Sequence, residues 1–113
     1  MSKITTHVLD VALGRPAADV PVLLQWRSPT GGWTELGRGA TDSDGRLKDL
    51  AAGKTLSAGI YRLTFNTGAY FAKCHVESLY PEVIILFEMQ DGQGHYHIPL
   101  LLSPFGYSTY RGS

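Results

Sequence analysis

Histidine is the side chain whose unperturbed pKa, ~6.5, lets it give or take a proton near neutral pH, and it stands at His7, His75, His95 and His97. His95 and His97 are two apart, so on an extended strand both rings project from one face. Such a face can supply a general base for activating water or, with His7 as a third ligand, a zinc site. The metal pattern is weak, because the His-Glu-x-x-His spacing and a thiolate partner are both missing. A lone strand histidine is more often a satisfied or solvated residue than a catalyst, and no Ser-His-Asp order or Gly-x-Ser-x-Gly elbow raises one above the rest. Asp42-Ser43-Asp44-Gly45 starts like a calcium loop but lacks the third acidic residue and the closing Glu of that motif. Arg46 follows this turn with a planar guanidinium, equally suited to a ligand carbonyl or anion and to a solvated loop. Tyr110-Arg111-Gly112-Ser113 has, on composition, the character of a tail that frays.

The elements that must position these groups come from a chain of 113 residues, 43% hydrophobic, which is material for one core and one domain, residues 1–113. Ten Lys and Arg balance ten Asp and Glu, so nothing draws the chain onto nucleic acid or anionic lipid, and a neutral or small partner is expected. The N-terminal stretch has no long apolar run behind Lys3 and reads as neither signal peptide nor membrane anchor, which makes the cytoplasm the expected compartment. Cys74 is the only cysteine. It excludes an internal disulfide, argues against a Cys-based zinc site, and reads as a buried, reduced thiol.

Short apolar runs separated by Gly, Pro, Asp and Ser describe an all-β sandwich. Strands are expected over Ile4–Val11, Val20–Arg27, Trp33–Gly39, Ile60–Phe65, Pro81–Met89, His95–Ser103 and Tyr107 to about Tyr110, with a short one at best over Arg46–Leu50. Ala69–Glu77 is the one plausible helix, and Asp91-Gly92-Gln93-Gly94 a turn. Tyr61, Leu63 and Phe65 alternate with Ile60, Arg62 and Thr64, as a half-buried strand requires. Pro81–Met89 is apolar on both faces, which predicts a central strand covered on both sides. In His95–Ser103 the apolar face is Tyr96, Ile98, Leu100 and Leu102, so His97 falls on the opposite face, with His95, Leu101 and Ser103. His7 shares its face with Thr5, Leu9 and Val11, which leaves its environment open.

Several separate segments resemble the transthyretin-like family. They are His7-Val8-Leu9-Asp10, Gly14-Arg15-Pro16-Ala17, Thr41-Asp42-Ser43-Asp44-Gly45-Arg46, Gly59-Ile60-Tyr61-Arg62, Tyr80-Pro81-Glu82-Val83, and the run from His95-Tyr96-His97-Ile98-Pro99-Leu100-Leu101-Leu102-Ser103-Pro104 through Gly106-Tyr107-Ser108-Thr109-Tyr110 to Ser113. Together they are highly specific; Leu79 and Phe105 are slight departures. The family has a hydrolase branch, acting in purine breakdown, and a carrier branch, so fold alone does not choose the function. The carrier has Lys where His7 stands, Glu where Arg46 stands, Thr where His97 stands, and an apolar segment in place of Tyr-Arg-Gly-Ser.

The resemblance implies a transthyretin-like (prealbumin-like) β-sandwich of two four-stranded sheets with one short helix, assembled as a homotetramer with sites in a channel between dimers. It implies hydrolysis of 5-hydroxyisourate in urate degradation, with no metal and no cofactor; a small-ligand carrier is the alternative. It assigns His7 and His97 to activating water and protonating the leaving nitrogen, Arg46 to steadying substrate oxygens, and Tyr110, Arg111 and Gly112 to binding substrate. Ser113 and its terminal carboxylate would lie near the substrate or the histidines.

Overall fold

The computed structural model describes residues 3–90 and 94–113, so residues 91–93 of the expected turn lie outside it. The strands are β1 (Lys3–Asp10), β2 (Arg15–Pro16), β3 (Pro21–Arg27), β4 (Trp33–Ala40), β5 (Arg46–Leu47), β6 (Gly59–Phe65), β7 (Val83–Met89), β8 (His95–Ser103) and β9 (Gly106–Thr109), and the helix is α1 (Thr67–Lys73). Among the described residues these form two sheets. One is β2-β1-β8-β9 with β5 also paired to β1, and the other is β4-β3-β6-β7. The five-stranded count in the first sheet arises because β2 and β5, two residues each, pair with successive stretches of β1, β5 with Thr6 and His7 and β2 with Leu9 and Asp10. The mostly-β, two-sheet architecture with one short helix is the one the sequence implied.

Strict alternation builds the core. Ile4, Thr6, Val8 and Asp10 of β1 are buried, as are Tyr61, Leu63 and Phe65 of β6 and Tyr96, Ile98, Leu100 and Leu102 of β8. These inner faces meet between the sheets, where Tyr61 stacks on Phe87 with ring centroids 5.9 Å apart. β1 and β8 run parallel, pairing Thr5 with His97 and His7 with Pro99. Paired residues project to the same side of a sheet. Thr5, His7, His95 and His97 therefore share the outer face of the first sheet.

Three local expectations are corrected. β7 pairs only with β6 among the described residues and is an edge strand, not a central one; Ile84 and Leu86 on its outer face are 48% and 55% exposed. Apolarity on both faces records what each face can be covered by, whereas position in the sheet is set by pairing. The helix covers 67–73 and not 69–77, because the Asn66 side chain accepts from the Ala69 N–H and starts it early. Beyond Lys73, His75 at φ 58° turns the chain away. Cys74 sits on that turn and is exposed, not buried.

One buried carboxylate ties β1 to the helix. Asp10 is 2% exposed. Its Oδ1 accepts from the Ala12 and Leu13 N–H groups at 3.1 Å each, and its Oδ2 accepts from the Tyr70 hydroxyl at 2.7 Å. Burial, and then the carboxylate beside it, push the Tyr70 phenol far above its ordinary pKa, so it remains a donor. Tyr70→Phe is expected to leave Oδ2 short of a partner and to lower stability by about 1.5–3 kcal/mol, read as a shifted urea midpoint with an unchanged slope.

Candidate active site

The outer face of the first sheet carries a cavity of about 250 Å³ lined by Lys3, Thr5, Thr6, Arg46, Lys48, His95, His97 and Ser113. Each element delivers its groups by register. β8 brings His95 and His97 two residues apart, β1 brings Lys3 and Thr5 beside them, and β5 brings Arg46 opposite His7.

Arg46 is placed by a rigid turn. The Thr41 hydroxyl donates to the Ala17 carbonyl at 2.7 Å and accepts from the Val20 N–H at 2.9 Å. The Asp42 carboxylate then accepts from the N–H groups of Asp44 at 2.9 Å and Arg46 at 3.0 Å. The Arg46 N–H does most to hold the Asp42 carboxyl below its usual pKa. Gly45 adopts φ +75°, and a Cβ there would lie 2.3 Å from the Val8 carbonyl oxygen, so glycine is required where the turn meets β1.

His97 is half-buried, and its Nδ1 lies 2.7 Å from Thr5 Oγ1, which leaves Nε2 as the nitrogen open to chemistry. Its pKa falls below the ordinary value, first through burial and then through the charges of His95, Arg46 and His7. The ring is therefore neutral at neutral pH. His7 lies on the same sheet face but does not line the cavity. Its Nε2 donates to the Asp44 carbonyl at 2.9 Å, so the neutral ring offers Nδ1 as its acceptor.

The C-terminal residues continue the line of β9 along β8. The Gly112 N–H donates to the His97 carbonyl at 2.8 Å, an isolated bridge that brings Ser113 to the cavity. A Cβ at Gly112 would lie 2.5 Å from Cδ2 of His97. Tyr110 is 57% exposed and off the cavity wall. The Arg111 guanidinium lies 4.2 Å from the ring centroid of Tyr96, a cation–π contact on the core side of the strand.

The structure thus gathers His97, Arg46 and Ser113 around one space, with Gly112 bridged to His97 behind it, His7 off the cavity wall and Arg111 turned elsewhere. Sequence reasoning passed over Thr5, Thr6, Lys3 and Lys48. Lys48 was findable, being two residues after Arg46 and so on the same side of an extended segment. Thr5 was findable only through the parallel pairing of β1 with β8. Among the described residues no group of three or more His, Cys, Asp or Glu side chains converges as metal ligands. The rings of His95 and His97 both address the Thr5 hydroxyl instead.

Fold and cavity together define a transthyretin-type β-sandwich whose outer sheet face holds a small, cation-lined site. The HIUase/Transthyretin family profile matches residues 4–112, and the chain belongs to that family. It is 44% identical over 110 residues to a Salmonella dublin protein named 5-hydroxyisourate hydrolase, covering 97% of this chain and 80% of that one. The structure of Klebsiella pneumoniae 5-hydroxyisourate hydrolase superposes with a TM-score of 0.88 at 40% identity, covering 100% of both chains. Transthyretin from Sparus aurata superposes with a TM-score of 0.91 at 32% identity, covering 97% and 96%. Backbone shape fits both of these structures.

Proposed function

We propose that this chain is a 5-hydroxyisourate hydrolase of urate degradation, opening the substrate ring at a lactam carbonyl to give 2-oxo-4-hydroxy-4-carboxy-5-ureidoimidazoline. The observation that carries the proposal is a half-buried imidazole, His97, held neutral with Nε2 free, in a cavity lined by Lys3, Arg46 and Lys48 and by no acidic side chain among the described residues. Water is a poor nucleophile at neutral pH, and a positioned base contributes about a hundred- to ten-thousand-fold. His97 Nε2 takes the proton of the attacking water. Arg46, with Lys48 beside it, holds the carbonyl oxygen as it becomes an oxyanion, an electrostatic effect that gains from partial exclusion of water. His7 orients the water or protonates the departing nitrogen. Ser113 forms the cavity edge, brought there by the Gly112 bridge to His97, with Gly112, Tyr110 and Arg111 contributing to substrate binding in the assembled protein.

The reading extends to a single domain over residues 1–113 that works in the cytoplasm without metal or cofactor, as a homotetramer. The exposed apolar groups Val11, Leu13, Ile84, Leu86 and Tyr107 support an assembly that covers them. Among the described residues, no helix is long and apolar enough to cross a membrane.

The deciding assay follows the absorbance of freshly generated 5-hydroxyisourate with and without the protein, against the spontaneous decay. Acceleration is expected, unchanged by a chelator. Loss of activity with chelator and its return with zinc would move water activation to a metal. Binding of a thyroxine-like ligand without hydrolysis would favour the carrier reading, which the close superposition on Sparus aurata transthyretin keeps as the alternative.

A further inference from the structure

Thr5 Oγ1 lies 2.7 Å from Nε2 of His95 and 2.7 Å from Nδ1 of His97, and Thr5 is only 7% exposed. A hydroxyl carries one proton and two acceptor lone pairs. With these two rings as its side-chain partners among the described residues, it donates to one and accepts an N–H from the other. The proton positions on the two histidines are therefore coupled through one oxygen.

The surroundings select between the two patterns. His97 Nε2 faces a cavity lined by Lys3, Arg46 and Lys48, where a nitrogen lone pair is favoured over an N–H. With Nε2 bare, His97 carries its proton on Nδ1 and donates it to Thr5. Thr5 then donates to the bare Nε2 of His95, whose exposed ring keeps its own proton on Nδ1. Protonating His95 reverses the chain. Its Nε2–H must then donate to Thr5, the Thr5 proton turns to His97 Nδ1, and His97 is left with its proton on Nε2.

We propose that Thr5 is a positioning residue that couples His95 to His97, so that neutral His95 sets His97 in the tautomer able to act as a base and protonated His95 switches it off. The proposal rests on His97 being the base of the function proposed above. The other charged or titratable groups facing the pair are Lys3 and His7 from β1 and Arg46 and Lys48 from the segment starting at β5, with Ser113 and its α-carboxylate, the one anion against three cations, also lining the cavity. Lysine and arginine keep their charge throughout the imidazole range. They bias the tautomer without switching it, which leaves His7 as the one further ring to be followed separately.

Nitrogen-15 NMR of the histidine rings in the folded protein reads the tautomers directly. Above the imidazole range, His97 is expected as the Nδ1–H form, passing to the Nε2–H form as His95 is protonated. Thr5→Ser retains this course. Thr5→Val and His95→Phe abolish it, and kcat falls about tenfold while KM stays within about twofold, as expected for loss of proton placement without loss of binding. His95 is exposed, so His95→Phe decides the matter if Thr5→Val does not fold. A His97 tautomer that follows the same pH course in wild type and in either variant overturns the coupling, as does a Thr5→Ser protein that behaves like Thr5→Val. Absence of turnover in the wild type sinks the hydrolase reading instead, and the NMR course still judges the coupling.

Discussion

Replacing His97 by asparagine is expected to lower kcat/KM by about a hundred- to ten-thousand-fold, the range a positioned general base supplies, with the fold intact. Asparagine can keep a bond to Thr5 Oγ1, and it lies on the outer sheet face, so no core contact of Tyr96, Ile98 or Leu100 is lost. Circular dichroism and the urea midpoint should therefore stay near those of the wild type while 5-hydroxyisourate decays at close to its spontaneous rate. A rate within about twofold of wild type removes His97 from the mechanism; the general-base range leaves no room for so small an effect. The pH profile carries the same information. A base works in its neutral form, so activity falls as the pH drops through the pKa of His97. Burial and the neighbouring charges of His95, Arg46 and His7 lower that pKa, which puts the acid limb of kcat/KM below the ~6.5 of free imidazole. Arg46→Gln removes one of the depressing charges and is expected to move the limb upward while reducing the rate. Linkage has the same sign. The folded state resists protonating His97, so this group's contribution to stability is present above the unfolded-state pKa and is lost as the pH falls through the depressed folded value.

Alternation was the part of the fold most legible in the sequence. A two-residue period says which face is inside, and it placed Tyr61, Leu63 and Phe65 in the core and His97 opposite Tyr96, Ile98, Leu100 and Leu102. Period says nothing of neighbours. Val83–Met89 has the apolarity of a central strand on both faces yet lies at an edge, because pairing partners are fixed by chain topology. The helix boundary failed for a related reason. The apolar pattern around Tyr70 and Phe71 fixed neither end, whereas the Asn66 cap and the positive φ of His75 set both.

The site was legible where its chemistry belongs to single residues and opaque where it belongs to pairs. His97 and Arg46 carry functional groups that can be named from the sequence and weighed. Thr5 acquires a role only because the parallel register of β1 and β8 sets it beside His97, and no local pattern foretells a pairing across more than ninety residues. His7 shows the converse. Its type drew attention first, yet the structure commits its Nε2 to the Asp44 carbonyl and keeps the ring off the cavity wall. Geometrically the two histidines are unequal, His97 lining the cavity and His7 lying off its wall.

Gly112→Ala is expected to cost about ten- to a hundredfold in kcat, since displacing a reacting group by ~1 Å can cost a hundredfold. The added Cβ would stand 2.5 Å from His97 Cδ2 and 3.3 Å from Pro99 Cγ. The imidazole has little freedom to give way, because Nδ1 is held by Thr5. Either the ring rotates off that hydroxyl or the tail lifts from the His97 carbonyl and withdraws Ser113 from the cavity. The two responses differ measurably. A rotated, more solvated ring regains a pKa closer to that of free imidazole, which moves the acid limb of kcat/KM upward. A lifted tail leaves the ring in place and mimics deletion of Tyr110–Ser113, which is expected to remove nearly all activity. The substitution does not touch the inner faces, so its melting temperature should move by only a few degrees, a shift worth about 1 kcal/mol at this size, whereas the truncation also removes the Arg111 contact on Tyr96. Activity within about twofold of wild type in both the substituted and the truncated protein would show that the last four residues play no part in the chemistry, because a displacement of the kind the Cβ forces should cost far more. The site would then reduce to the strand face carried by β1, β5 and β8.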